Sequence, residues 1–207
     1  ADAPVGLVGY SQGAAAVAWA GELAKDYAPE LQIRAIAGGG VPADLPAVYR
    51  SLDGGPSTGL VVATALGLDA AYPELDLDAY LTEAGRTQIR AAENMCMLDL
   101  LAFSGHRFSE YTTTDLQTVP AWQARLRENG TGQRPPAAPV LVWRAESDPV
   151  VTAVTSAKLV QDYCARGATV TVGTGAGEHM LGYATFSAAY APWLADRLAG
   201  LPAPSAC

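Results

Sequence analysis

Three residues of this chain have the types and order that nucleophilic catalysis needs: Ser11, Asp148 and His179. Ser11 is the centre of Gly9-Tyr10-Ser11-Gln12-Gly13, a G-x-S-x-G pentapeptide. A serine hydroxyl is a poor nucleophile until a base takes its proton. The base in turn needs an acid that fixes its tautomer and stabilises the imidazolium. The chain offers two histidines, His106 and His179. His179 follows the glycine-rich stretch Gly173-Thr174-Gly175-Ala176-Gly177-Glu178, read as a flexible loop after the last apolar run. His106, in Gly105-His106-Arg107, reads as a surface histidine. For the acid, Glu146 and Asp148 both lie just past the apolar run Pro139-Val140-Leu141-Val142-Trp143. Asp148 is preferred, because Asp-Pro fixes a turn and Val150-Val151 then resumes an apolar path.

These side chains must be brought to one place. The run Val5–Val8 leads into Ser11 and reads as a buried parallel strand, and the helix-forming run Ala14–Lys25 leads out. A serine between strand and helix sits on a tight turn that pushes its hydroxyl out at the carboxyl end of a sheet. Glycines at 9 and 13 are expected because bulky groups there would clash as strand and helix pass. Further strands are predicted at Ile33–Ala37, Val140–Trp143 and Thr169–Val172, and helices at Thr155–Arg166 and Tyr183–Leu198. Pro192 should kink the last helix or divide it. Residues 41–136 contain no convincing strand. Helical pieces are predicted there at Leu45–Leu52, Gly59–Ala70, Asp76–Phe103 and Thr118–Glu128, and the excursion reads as a cap or lid over the sheet's carboxyl edge.

The order Ser11, Asp148, His179 is the nucleophile, acid, base order of the α/β-hydrolase fold. In that fold several strands precede the nucleophile strand, whereas here it begins within the first residues. Residues 1–207 are therefore expected to form the C-terminal part of a larger hydrolase domain. The backbone N–H of Gln12 should supply one oxyanion donor. A second, normally from a loop after an earlier strand, is expected from a missing N-terminal half. Gly38-Gly39-Gly40 reads instead as a turn permitting close approach.

Composition narrows the partners. Half of the 207 residues are hydrophobic and 16% are charged, which is globular rather than disordered. A net charge of −8 gives no basic footprint for nucleic acid or an anionic membrane. The longest strongly apolar stretch, Leu60–Leu68, is too short to span a bilayer. Cys96, Cys164 and Cys207 lie far apart in sequence and away from either histidine, so no metal site and no cofactor is expected.

Gly9-Tyr10-Ser11-Gln12-Gly13-Ala14, with Ala35-Ile36-Ala37-Gly38-Gly39-Gly40-Val41-Pro42-Ala43-Asp44-Leu45, resembles the secretory lipase family, which spans fungal lipases of the Candida lipase A type and actinobacterial secreted lipases. Ala71-Tyr72-Pro73-Glu74-Leu75, the segment Pro139–Val151 and Cys164-Ala165-Arg166-Gly167-Ala168 fit the same pattern. The resemblance covers most of residues 5–198. It implies an extracellular α/β-hydrolase with a helical lid that cleaves acyl esters, with Ser11 as nucleophile, Asp148 as acid and His179 as base. Glu178-His179-Met180 departs from the family's usual Gly-His-Leu. Cutinases share Gly-Tyr-Ser-Gln-Gly, but they place acid and base much closer together. With a secreted protein implied, the odd cysteine count and the terminal Cys207 predict a Cys164–Cys207 disulfide, leaving Cys96 for the absent half. Leu60–Leu68 and Met95-Cys96-Met97-Leu98 are candidates to line an acyl pocket. The alternatives are an α/β-hydrolase of other acyl specificity, such as a peptidase or acyltransferase, and a catalytically silent fragment or binding module.

Overall fold

The structure is a computed structural model and describes residues 3–207. Its strands are β1 (Pro4–Tyr10), β2 (Gln32–Gly39), β3 (Val140–Ala145) and β4 (Val170–Gly175). Its α-helices are α1 (Gln12–Tyr27), α2 (Leu45–Leu52), α3 (Thr58–Ala71), α4 (Glu83–Ala91), α5 (Pro120–Glu128), α6 (Ala153–Ala165) and α7 (His179–Leu198). The chain forms two compact units, one made of the described part of Ala1–Asp44 with Gly130–Cys207, the other of Leu45–Asn129.

In the first unit the strands form one parallel sheet in the order β1-β2-β3-β4. Parallel pairing sends all four carboxyl ends to one edge. Alternation along the strands divides the core between the two faces. Ile36, Val140, Val142 and Val170 pack with Ala14 and Ala18 of α1 and Leu159 and Tyr163 of α6. Ala37, Leu141, Trp143 and Ala145 pack with Phe186 of α7. Helices thus cover both faces, as parallel strands require. Helix α1 lies close to the sheet because Ala14, Ala18 and Gly21 on its buried side are small: a Cβ on Gly21 would come within 2.3 Å of Ile36 Cδ1. The expectation that the first strand is buried does not hold for the described residues. There β1 is an edge strand, and Val8 is 36% exposed.

A buried carboxylate fixes the return of the chain to the sheet. Glu22 of α1 is 5% exposed. Its Oε1 accepts from the Gly132 amide at 2.7 Å and from the Tyr163 hydroxyl at 2.9 Å. Its Oε2 accepts from the amides of Gln133 at 3.2 Å and Arg134 at 3.1 Å. In Glu22→Gln an NH2 group must face N–H donors, so two of them lose their acceptor. At roughly 1–3 kcal/mol per unsatisfied donor, and near the low end for partly buried amides, the expected loss is about 2–3 kcal/mol in urea unfolding. An unchanged midpoint would show that this loop is held by other contacts.

Cys164 and Cys207 form a disulfide across 43 residues. It fastens the C-terminal segment along β4, where the Ala206 amide donates to Val170 O at 2.7 Å and Thr171 Oγ1 donates to Pro204 O at 2.6 Å. The segment thereby occupies hydrogen-bonding groups of a strand that would otherwise present an open edge. The paired variant Cys164→Ser/Cys207→Ser should lose about 4 kcal/mol in the chain-entropy model, read as a lowered midpoint in urea. Equal midpoints would mean that the crosslink constrains the unfolded chain little. Cys96 is exposed and is the free cysteine among the described residues.

The second unit is helical. Helix α2 has the predicted bounds, and α3 and α5 agree with prediction within two residues. The long helix predicted over Asp76–Phe103 is replaced by short pieces. These are 3₁₀ turns at Leu77–Tyr80, Ala92–Asn94 and Asp99–Phe103, with α4 between them. Backbone breaks and one long-range bridge interrupt the predicted helix. Asp76 is left-handed at φ 43°. Leu81 is extended and bridges to Thr112. Thr82 then caps α4 by accepting from the Gly85 amide at 2.9 Å, and Met95 is extended again. Within Leu60–Leu68, a candidate pocket lining, Val61, Val62, Ala65 and Leu68 are buried in the core. Met97 and Leu98 are largely exposed.

Candidate active site

Ser11 is the single residue between β1 and α1. Its backbone is at φ 54°, ψ −121°, outside the regions L-residues favour. The surroundings hold it there: the Ser11 amide donates to Gly39 O at 2.8 Å, and its carbonyl accepts from the amides of Ala14 at 2.9 Å and Ala15 at 3.1 Å. Gly9 is required by this crossing, because a Cβ there would lie 2.1 Å from the Gly13 carbonyl oxygen. The same expectation for Gly13 is not met. Gly13 is exposed, and a Cβ on it would meet nothing within 4 Å.

Asp148 lies three residues beyond the end of β3 and is buried, its side chain 1% exposed. Its Oδ1 accepts from the amides of Val150 and Val151, both at 2.8 Å. Its Oδ2 lies 2.7 Å from His179 Nδ1. Burial is the largest single influence on this carboxyl and opposes ionisation. The hydrogen bonds from His179 and from the Val151 and Val150 amides, with the imidazole's charge, together outweigh it, and the pKa is lowered from the usual 3.8. Glu146 is exposed, and its amide donates to Gly175 O at 2.9 Å. The Asp148 side chain therefore both caps the turn and meets the histidine.

His179 is not in a flexible loop. It is the first residue of α7, four positions earlier than predicted, because Glu178 acts as the cap. The Glu178 carboxylate accepts from the amides of Met180 at 2.9 Å and Leu181 at 2.7 Å. These bonds hold the Glu178 pKa below its ordinary value. Pro192 lies within α7 without dividing it. The His179 ring is buried, with Nε2 2.8 Å from Ser11 Oγ. The ionised Asp148 can only accept, so Nδ1 carries the proton and Nε2 is free to accept from the Ser11 hydroxyl. Gly40, at φ +57°, backs the pair, and a Cβ there would stand 3.2 Å from His179 Cε1. Of the predicted turn Gly38-Gly39-Gly40, Gly38 and Gly39 instead end β2 and only Gly40 lies beyond it, while the predicted close approach holds: a Cβ on Gly39 would come within 2.6 Å of Tyr10 Cδ2. His106 is exposed and bonds Glu110 at 2.8 Å in the helical unit.

Gln12 is the first residue of α1, so its amide has no carbonyl within the helix to donate to and adjoins the Ser11 hydroxyl in sequence. Among the described residues no group of three His, Cys, Asp or Glu side chains is placed to hold a metal ion, and no helix is long and apolar enough to cross a membrane. The roles of Gly40 and of Glu178 as a cap were not evident from the sequence. An acid immediately before a helical run was the available signal for Glu178.

Comparison with known proteins decides the family. A profile of the secretory lipases matches residues 1–206. The chain belongs to the secretory lipase family. Among its relatives, a secreted triacylglycerol lipase of Malassezia globosa is 29% identical over 96% of this chain and 47% of its own length. A trichothecene C-3 esterase of Fusarium sporotrichioides is 34% identical over 79% of this chain and 40% of its own. Among solved structures, Candida antarctica lipase A is similar with a TM-score of 0.90 and 27% identity, covering all of this chain and 51% of that one. The α/β-hydrolase fold expected from the order of the three residues is thus that of the secretory lipases. The chain spans about half the length of these relatives.

Proposed function

We propose that this chain carries the catalytic Ser-His-Asp set of a secreted serine carboxylesterase or lipase. The observation that supports this most is one continuous hydrogen-bonded line, Ser11 Oγ to His179 Nε2 and His179 Nδ1 to Asp148 Oδ2, at 2.8 and 2.7 Å. As Ser11 Oγ attacks the ester carbonyl carbon, its proton passes to His179 Nε2. Asp148, ionised and held by two backbone amides, balances the imidazolium. The carbonyl oxygen becomes an oxyanion that the Gln12 amide faces. His179 returns the proton to the departing alkoxide oxygen and leaves an acyl-Ser11 ester. Water then gives a proton to His179 and attacks the acyl carbon. Collapse releases the acid, and His179 reprotonates Ser11. The second oxyanion donor is proposed to lie in a segment corresponding to the rest of the relatives' length. We read residues 41–136 as the helical lid of such an enzyme.

An extracellular setting is supported by the family and by the Cys164–Cys207 disulfide. The substrate class is tested by presenting the whole protein that contains this chain with p-nitrophenyl esters and peptide anilides. Turnover of the esters alone is expected. Anilide cleavage at a comparable rate would move the activity to peptide bonds.

A further inference from the structure

Tyr10 stands immediately before Ser11, at the last position of β1. Its hydroxyl donates to the main-chain carbonyl of His179 at 2.5 Å, a contact between residues 169 positions apart. Its ring lies against the His179 ring, with centroids 5.3 Å apart, and against Phe186 at 5.6 Å. The geometry points to Tyr10 as a positioning residue that fixes the His179 imidazole at Ser11 by tying the end of β1 to the start of α7. This inference rests on the triad reading above.

The need for such a tie follows from how the two ends are built. Ser11 is fixed by its strained elbow. His179 opens a helix, and its neighbours Met180, Leu181 and Tyr183 are more than half exposed. Glu178 caps the helix through amides beyond His179, so it holds the helix start without fixing its distance from Ser11. The Tyr10 bond grips the main chain of His179 itself. The Tyr10 backbone continues into Ser11, so a single residue links both reacting groups. The space around the hydroxyl is tight, since a Cβ on Gly182 would come within 2.8 Å of it. The bond requires a protonated phenol. Burial, with the charges of Asp148 and Glu178, raises the Tyr10 pKa to about 12, so the hydroxyl is a donor at neutral pH.

Tyr10→Phe removes the hydroxyl and keeps the ring. The test is fluorophosphonate labelling of Ser11 in the whole protein, followed to completion. A looser imidazole spends less time at Ser11 Oγ, and small misplacements of a base are costly. The labelling rate constant is therefore expected to fall about 10- to 30-fold, with every molecule still labelled at the endpoint and kcat reduced by a similar factor at unchanged KM. A role confined to stability would lower the endpoint and the melting temperature but leave the rate constant of the folded fraction unchanged, which would overturn the proposal. Should Tyr10→Phe fail to fold, Gly182→Ala combined with Ala145→Gly crowds the hydroxyl without touching Tyr10, because a Cβ on Gly182 also meets Ala145 Cβ at 2.7 Å. The same loss of rate is expected, and a wild-type rate there would also overturn it. If the wild-type protein is not labelled at all, it is the triad reading that fails.

Discussion

Ser11→Ala should lower ester turnover by about 10⁶-fold while the far-UV circular dichroism stays that of the wild type. Alanine keeps the Cβ, so the elbow loses nothing that its amide and carbonyl bonds depend on. What disappears is one oxygen, the atom 2.8 Å from His179 Nε2. The His179–Asp148 pair remains but has no hydroxyl to activate, and no acyl-enzyme can form. Residual catalysis from binding and oxyanion stabilisation is small by comparison. Activity retained above about a thousandth of wild type would contradict the nucleophile assignment.

The second large effect is expected at Asp148. Asp148→Asn should reduce the rate about 10⁴-fold, whereas Glu146→Gln, on an exposed side chain, should leave it nearly unchanged. The two backbone amides at Oδ1 force the orientation of an asparagine there. Its oxygen must face Val150 and Val151, which turns its NH2 toward His179 Nδ1. Nδ1 must then accept, the ring proton moves to Nε2, and Nε2 can no longer take a proton from Ser11. Equal losses in the two variants would move the acid role to Glu146. A stability signature accompanies the kinetic one. The folded-state pKa of Asp148 is depressed below 3.8. Its contribution to stability is therefore present above that value and is lost as pH falls through the folded-state pKa. The difference in melting temperature between wild type and Asp148→Asn should shrink as the solution is acidified below pH 3.8. A constant difference would mean that the carboxyl is not held ionised by its partners.

Much of this site was legible because its signals are local. The pentapeptide around Ser11, the apolar runs before Ser11 and Asp148, and the chain order of the three residues needed no tertiary information. Short apolar runs marked β2 and β3, as expected of parallel strands covered on both faces, and α2 has the bounds predicted for it. The misreadings arose where a contact outside the local pattern decides. The helix α7 begins at His179 because the Glu178 carboxylate satisfies two amides, while the glycines before it suggested a longer loop. Asp76–Phe103 has helical composition, but a left-handed Asp76 and the Leu81–Thr112 bridge break it. Gly13 and Gly9 look equivalent in the motif, yet only Gly9 is crossed closely by the backbone of α1. Tyr10 occupies a position the motif leaves free, and its partner lies 169 residues away, so nothing in the sequence marked it.

The proposed function requires Ser11 to be an activated nucleophile. Its most direct test is peptide mass mapping of the whole protein after brief exposure to a fluorophosphonate. A single adduct on Ser11 is expected, formed within minutes at neutral pH and absent from Ser11→Ala and, on that timescale, from Asp148→Asn. An unmodified Ser11, or an adduct on another residue, would contradict it.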